Sequence, residues 1–195
     1  MNKLLIAAAL FALGLWIWSE YFRAIPHLEQ AGILKNFQVE PVEAHEAEYR
    51  VISKKYYGPE RRTIHPASPV VGSFNDLAYI SNIDLLLAQP ETSMAALKSW
   101  QLKQSKRCFE VNLKDAVQAD SALIQPLLSS LSVVASSEAV ANKIRRLKAG
   151  QRIRIQGDWI TLKYAKNQQE FYVGLGSQNS SQCRLFRLNA VERLD

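Results

Sequence analysis

Six side chains in the second half of the chain have the types and spacing to hold an anion: Arg145, Arg146, Arg152, Arg154, Trp159 and Lys163. Arg152 and Arg154 alternate with Ile153 and Ile155, so a strand there sets both guanidinium groups on one face. Trp159 and Lys163 extend that face if the strand turns at Gly157-Asp158 and returns. Charge plus a stacking ring suits a lipid headgroup, an anionic polymer or, with export counting against it, a nucleic acid. The same composition is also an ordinary wet strand face, since Trp and Tyr are common in strands.

Other reactive types are sparse. The chain has 2 cysteines and 3 histidines. Cys108 and Cys183 either close one long disulfide loop in an exported domain or remain two buried thiols. His27 follows a hydrophobic segment, His45 stands among glutamates and His65 precedes a proline. No HxxxH or HxH pair offers a metal site, so neither metal nor cofactor is expected. Phosphate-cradling loops and nucleophile elbows are missing too. Asp76 with Asp84, or Asp158 with Glu170, has the chemistry of an acid and base pair, at spacings that arise by chance.

These groups need elements to position them, and the strongest signal for an element is at the start. Leu4 to Trp18 is an apolar run of 15 residues behind Lys3. As a helix it reaches about 22 Å, against about 30 Å for a hydrocarbon core. Tyr21 and Phe22 lengthen it, and Trp16, Trp18 and Tyr21 suit the headgroup level. The one small-residue pair suited to a signal peptidase, Ala12 with Gly14, would leave a very short apolar core, so an uncleaved signal anchor is expected. The positive charge before the span places the following domain outside the cytoplasmic membrane.

The 195 residues suffice for one domain and an appendage, and the net charge of +6 with a pI near 9.4 is a moderate basic bias. Three parts are expected: an anchor over 1–22, a membrane-proximal linker over 23–46 with Pro41 and the acids Glu40, Glu43, Glu46 and Glu48, and a domain over 47–195. Within the domain, 47–57 has strand character and 61–81 reads as a loop. A helix begins near Thr92, capped by Thr92 or Ser93, and Cys108 to Leu113 alternates as a strand. The clearest helix follows Ser136 or Ser137, with Val140, Ile144 and Leu147 on one face and Gly150 at its end. Then four strands are expected, at 151–156, 159–165, 170–175 and 182–191. Their shared inner face would carry Ile153, Ile155, Ile160, Leu162, Tyr164, Phe171, Val173 and Leu175. The fold class is therefore α+β, an anchor helix followed by one domain ending in an antiparallel β-meander, in the manner of a small OB-like barrel.

The segments "ISNIDLLLAQPETSMAALKSWQLKQSKRCFEV", "LSVVASSEAVANKIRRLKAGQRIRIQGDWITL" and "QCRLFRL" resemble, in order and spacing, a group of bacterial membrane-anchored proteins with no assigned activity. Asp84-Leu85, Gln104, Arg107, Gly150, Gly157 and Cys183 stand at the motif positions of that group. Asn82, Gln89-Pro90 and Arg184 depart from its Pro, Trp-Gly and Glu. The resemblance implies an exported, anchored domain and supplies no mechanism.

Three functions follow as expectations. The first is a single-pass protein of the bacterial inner membrane whose periplasmic domain acts as a non-enzymatic binding or assembly component of an envelope complex, with envelope proteins as partners. The second is a module for anionic lipid or polymer. The third is an envelope hydrolase with its site between the 65–90 loop and the meander.

Overall fold

Residues 37–46, expected in a linker, begin the longest strand: β1 runs from Phe37 to Tyr56. The computed structural model describes residues 2–21, 24–58, 77–113, 123–177 and 180–194. Within them the chain is α+β, mostly sheet. After the N-terminal helix α1 (Asn2–Tyr21) and a single turn α2 (Ile33–Asn36) come β1, β2 (Ile83–Ala88), α3 (Met94–Ser99), β3 (Trp100–Ser105), β4 (Cys108–Leu113), β5 (Leu128–Ala135), α4 (Glu138–Arg146), β6 (Arg152–Tyr164) and β7 (Cys183–Arg193). Five strands close a barrel in the order β1-β2-β5-β7-β6, while β3 and β4 pair as a separate hairpin. β5 and β7 run parallel and the other barrel neighbours antiparallel.

The expected meander is therefore corrected. Its first two strands are one, because Gly157 is not in a turn but inside β6. A β-carbon there would meet the Arg187 carbonyl oxygen and stand 2.8 Å from the Phe186 ring. Only glycine allows β7 to approach that closely, and the register shifts at the same point. The third expected strand, 170–175, contributes a single bridge, Lys163 with Glu170, before the left-handed Gly174 and Gly176.

Continuity also changes which face each residue takes. Ile153, Ile155 and Trp159 point into the barrel with Val51, Leu85, Leu131 and Phe186. Ile160 and Leu162, expected on that same face, lie on the opposite one, in a second cluster with Phe37, Leu77, Leu185 and Phe171. Period two makes this unavoidable once the strand does not turn. Leu175, expected inside, is exposed.

α4 closes one end of the barrel. The Ser137 hydroxyl accepts a hydrogen bond from the Val140 amide at 3.3 Å and caps the helix. Val140, Ile144 and Leu147 pack on Ile153, Ile155, Leu188 and Val191. Full burial of Ile144 and Leu147 contributes about 1.5–3 kcal/mol apiece. Gly150, with φ near 90°, turns the chain from the helix into β6.

The hairpin covers the outer face of β2 and β5, where Leu86, Ala88 and Leu128 meet Leu97, Cys108 and Phe109. Cys108 and Cys183 form a disulfide from hairpin to barrel, 75 residues apart in sequence with Cα atoms 5.3 Å apart. α3 is capped by Ser93, whose hydroxyl accepts from the Ala96 amide.

Among the described residues, no helix is long and apolar enough to cross a membrane. Leu4, Leu5, Ile6, Leu10, Phe11, Leu13 and Leu15 of α1 are nevertheless 51–79% exposed. The side chains of Trp16, Trp18 and Tyr21 lie outside the described residues.

Candidate functional site

The expected arginine row is present on β6, and acids face it. Glu48 of β1 lies opposite Arg154 in the antiparallel register. Its carboxylate accepts from Arg154 Nη2 at 2.7 Å and from Arg152 Nη2 at 3.3 Å, and Glu192 stands 3.7 Å from Arg154 Nη1. Lys163 pairs with Glu40 at 2.9 Å. Hydrogen bonding from Arg154, opposed by partial desolvation, holds the Glu48 carboxyl below its ordinary range. Three cations of the row thus face three carboxylates.

Trp159, expected outward for stacking, is 9% exposed. It packs on Phe186 and His45 at 5.0 Å, and the Arg184 guanidinium covers its ring at 4.0 Å. The stacking surface expected on β6 is consequently filled by the protein's own cation.

The other two expected cations, Arg145 and Arg146, are at the C-terminal end of α4, and their surroundings differ. A cleft of about 700 Å³ opens there between β1 and the loop after the helix. Its wall carries Lys54, Arg145, Arg146 and Lys148, with no carboxylate among its described lining. The Lys54 ammonium donates to the Arg145 carbonyl at 2.8 Å, and Arg145 Nη2 donates to Asn142 Oδ1 at 2.9 Å. The first bond ties the helix end to β1 and the second lies within α4, and cations there complement the negative end of the helix dipole. A second cleft of about 380 Å³ shares Arg146 and Leu147 and adds Lys143, Glu192 and Arg193. A third, of about 280 Å³, shares Arg145 and is walled by Ala24, Ile25 and Ala141. Lys143 and Lys148 flank Arg145 and Arg146 in sequence and read as the solvated faces of the helix, whereas Lys54 and Arg193 join them only because the fold brings β1, β7 and α4 to one end of the barrel.

A buried ionic group joins hairpin to barrel. Arg107, 1% exposed, donates from Nη1 to Asp84 Oδ1 at 2.9 Å and from Nη2 to the Ser81 carbonyl at 2.8 Å. Ser132 donates to the same carboxylate oxygen at 2.8 Å, and the Tyr57 ring lies 3.9 Å from the guanidinium. Lys106 and Arg107 both have positive φ, as a two-residue hairpin turn of this twist requires. Neither is glycine, so the turn costs about 1–2 kcal/mol per residue, offset by what Arg107 reaches. Burial holds the Asp84 carboxyl above its ordinary range, with Arg107, Ser132 and Tyr57 opposing that shift only in part. Asp84 is wholly buried, so this pair holds the hairpin and offers no access to a substrate.

The remaining candidates do not converge. Asp158 is engaged by Arg187 and Asn189, away from Glu170. His45 bonds Tyr49 at 3.0 Å, and burial lowers its pKa, with Glu43 opposing and Arg184 assisting. His27 bridges to Ala135. His65 and Asp76 lie outside the described residues. Among the described residues no three metal-ligating side chains gather.

Comparison with protein-family models, curated proteins and solved structures finds no match.

Proposed function

We propose that this chain is a membrane-anchored, extracytoplasmic module of a bacterial envelope complex, and that it binds rather than catalyses. One observation carries the reading: a disulfide-bonded barrel follows a helix whose described apolar side chains are exposed. Disulfides persist in oxidising compartments. Leu4, Leu5 and Ile6 are consecutive, so at 3.6 residues per turn they point to different sides of α1. A helix apolar all round is stable when apolar surroundings enclose it. Its apolar run from Leu4 to Trp18 reaches about 22 Å, short of a hydrocarbon core of about 30 Å, a mismatch that local thinning of the bilayer accommodates.

The five-stranded barrel fits the OB-like architecture expected of the domain. Such barrels bind oligomers across their second and third strands. Here that face is the outer side of β2 and β5, and the hairpin occupies it with Leu97, Cys108 and Phe109. A nucleic acid is accordingly disfavoured at that face, and the partner is instead an envelope protein or the membrane. A second reading, a module for anionic lipid or polymer, is favoured by the α4 cleft with its four cations.

The test is a pair of reporters fused after Asp195, one active only outside the cytoplasm and one only inside, together with alkaline extraction of membranes. Activity outside and retention in the membrane are expected. Activity only inside, or release by alkali, contradicts the proposal. Crosslinking in the native envelope then identifies the partner.

A further inference from the structure

We propose that the basic end of α4 lies against anionic phospholipid headgroups of the same membrane that holds α1, so that the barrel rests on the bilayer instead of projecting from it. This inference rests on the anchored reading and names what the second reading left open, the ligand class and the residues.

The chain path sets the distance. Helix α1 ends at Tyr21, and Ile25 is already part of the barrel core. Ala24 is fixed by its carbonyl, which accepts from Asn82 Nδ2 at 2.8 Å. Tyr21 and Ala24 are three residues apart, a separation of at most about 11 Å for a fully extended chain. The third cleft is lined by Ala24 and Ile25 and, along α4, by Glu138, Ala141, Asn142 and Arg145. The first described residues after α1 therefore adjoin α4 along the face that ends at Arg145.

Charge then selects the ligand. Lys143, Arg146 and Lys148 are exposed, and Arg145 is half-buried. At physiological ionic strength the screening length is about 8 Å, so a cation such as Arg145, which shares a cleft with Ala24, feels the charge of headgroups around the end of α1. Each such Lys or Arg strengthens contact with an anionic leaflet by about fivefold. The β6 row makes no comparable contribution, because Glu48, Glu192 and Glu40 already face it.

The experiment uses the full chain in nanodiscs of phosphatidylcholine alone and of phosphatidylcholine mixed with phosphatidylglycerol. A fluorescent residue replaces the exposed Ala149, and a spin label on the lipid headgroup serves as quencher. Quenching is expected in the mixed discs, and is lost in phosphatidylcholine, in about 1 M salt, where screening shortens to about 3 Å, and in the variant Arg145→Gln/Arg146→Gln/Lys148→Gln. Should that variant fold poorly, the exposed pair Arg146→Glu/Lys148→Glu gives the same readout. Quenching that is equal in both lipids, or absent from both, overturns the inference. Equal loss of quenching in Arg152→Gln/Arg154→Gln overturns the choice of α4. Competition by inorganic phosphate or by an oligonucleotide at low concentration would mark a general anion site and overturn the lipid assignment. A chain that does not enter either disc overturns the anchored reading itself.

Discussion

Positive charge is held in opposite ways at the hairpin join and at the end of α4. At the join between hairpin and barrel, Arg107 is buried and bonded to Asp84 and the Ser81 carbonyl. At the α4 end, Arg145, Arg146 and Lys148 line an open cleft without a carboxylate among its described lining. Removing a charge from the first leaves another charge stranded in a low-dielectric interior. Removing one from the second leaves solvent to fill the space. The difference separates charges that hold the fold from charges available to a partner, and it gives an order of expected effects.

The largest effect is expected at the join. Asp84→Asn strands Arg107 and should cost about 3–5 kcal/mol, as breaking a buried pair does, measured by urea unfolding. Replacing both partners with apolar residues should cost less than removing one, and the reverse result would break the distinction. Close behind, Cys108→Ser/Cys183→Ser should cost about 2–5 kcal/mol, visible as a lower midpoint that matches that of the reduced wild type.

A smaller effect concerns pH. His45 packs on Trp159, and burial lowers its pKa below the ordinary 6.5. The unfolded chain then binds the proton more readily than the folded one, so stability is fully present above about pH 6.5 and declines as the pH falls below it. His45→Gln should flatten this slope in thermal unfolding measured across pH. Smallest of all, the α4 substitutions Arg146→Gln and Lys148→Gln should leave the unfolding midpoint within about 0.5 kcal/mol of wild type, the ordinary range for surface changes. A large loss there would make those charges structural and erase the contrast.

Local features of this organisation were legible in the sequence. A serine cap at 136 or 137, the inward Val140, Ile144 and Leu147, the strand at Cys108–Leu113 and the inward Ile153 and Ile155 all follow from short-range spacing. The cysteine pair was one of two open alternatives. What was not legible depends on distant contacts. Glu48 is 104 and 106 residues from the arginines that it engages, and Glu40 and Glu48 read as linker acids until β1 is laid beside β6. Pro41 also argued against a strand, yet it lies in the half of β1 paired only with β6, where a proline is tolerated. Gly157-Asp158 has turn composition, but the glycine is needed for close approach to β7. The parallel contact of β5 with β7 leaves no local trace. The candidate site suffered likewise: Arg145 and Arg146 were visible as cations, whereas the cleft and its Lys54 wall exist only once the barrel closes.

The most direct measurement is the rotational correlation time of the barrel in the full chain, by NMR relaxation, in nanodiscs containing phosphatidylglycerol. Wild type and Arg152→Gln/Arg154→Gln should tumble with the disc, while Arg145→Gln/Arg146→Gln/Lys148→Gln should tumble faster and independently. Independent tumbling of the wild-type barrel, or release by the β6 substitutions with none by those on α4, would contradict the assignment of α4 as the membrane-facing end.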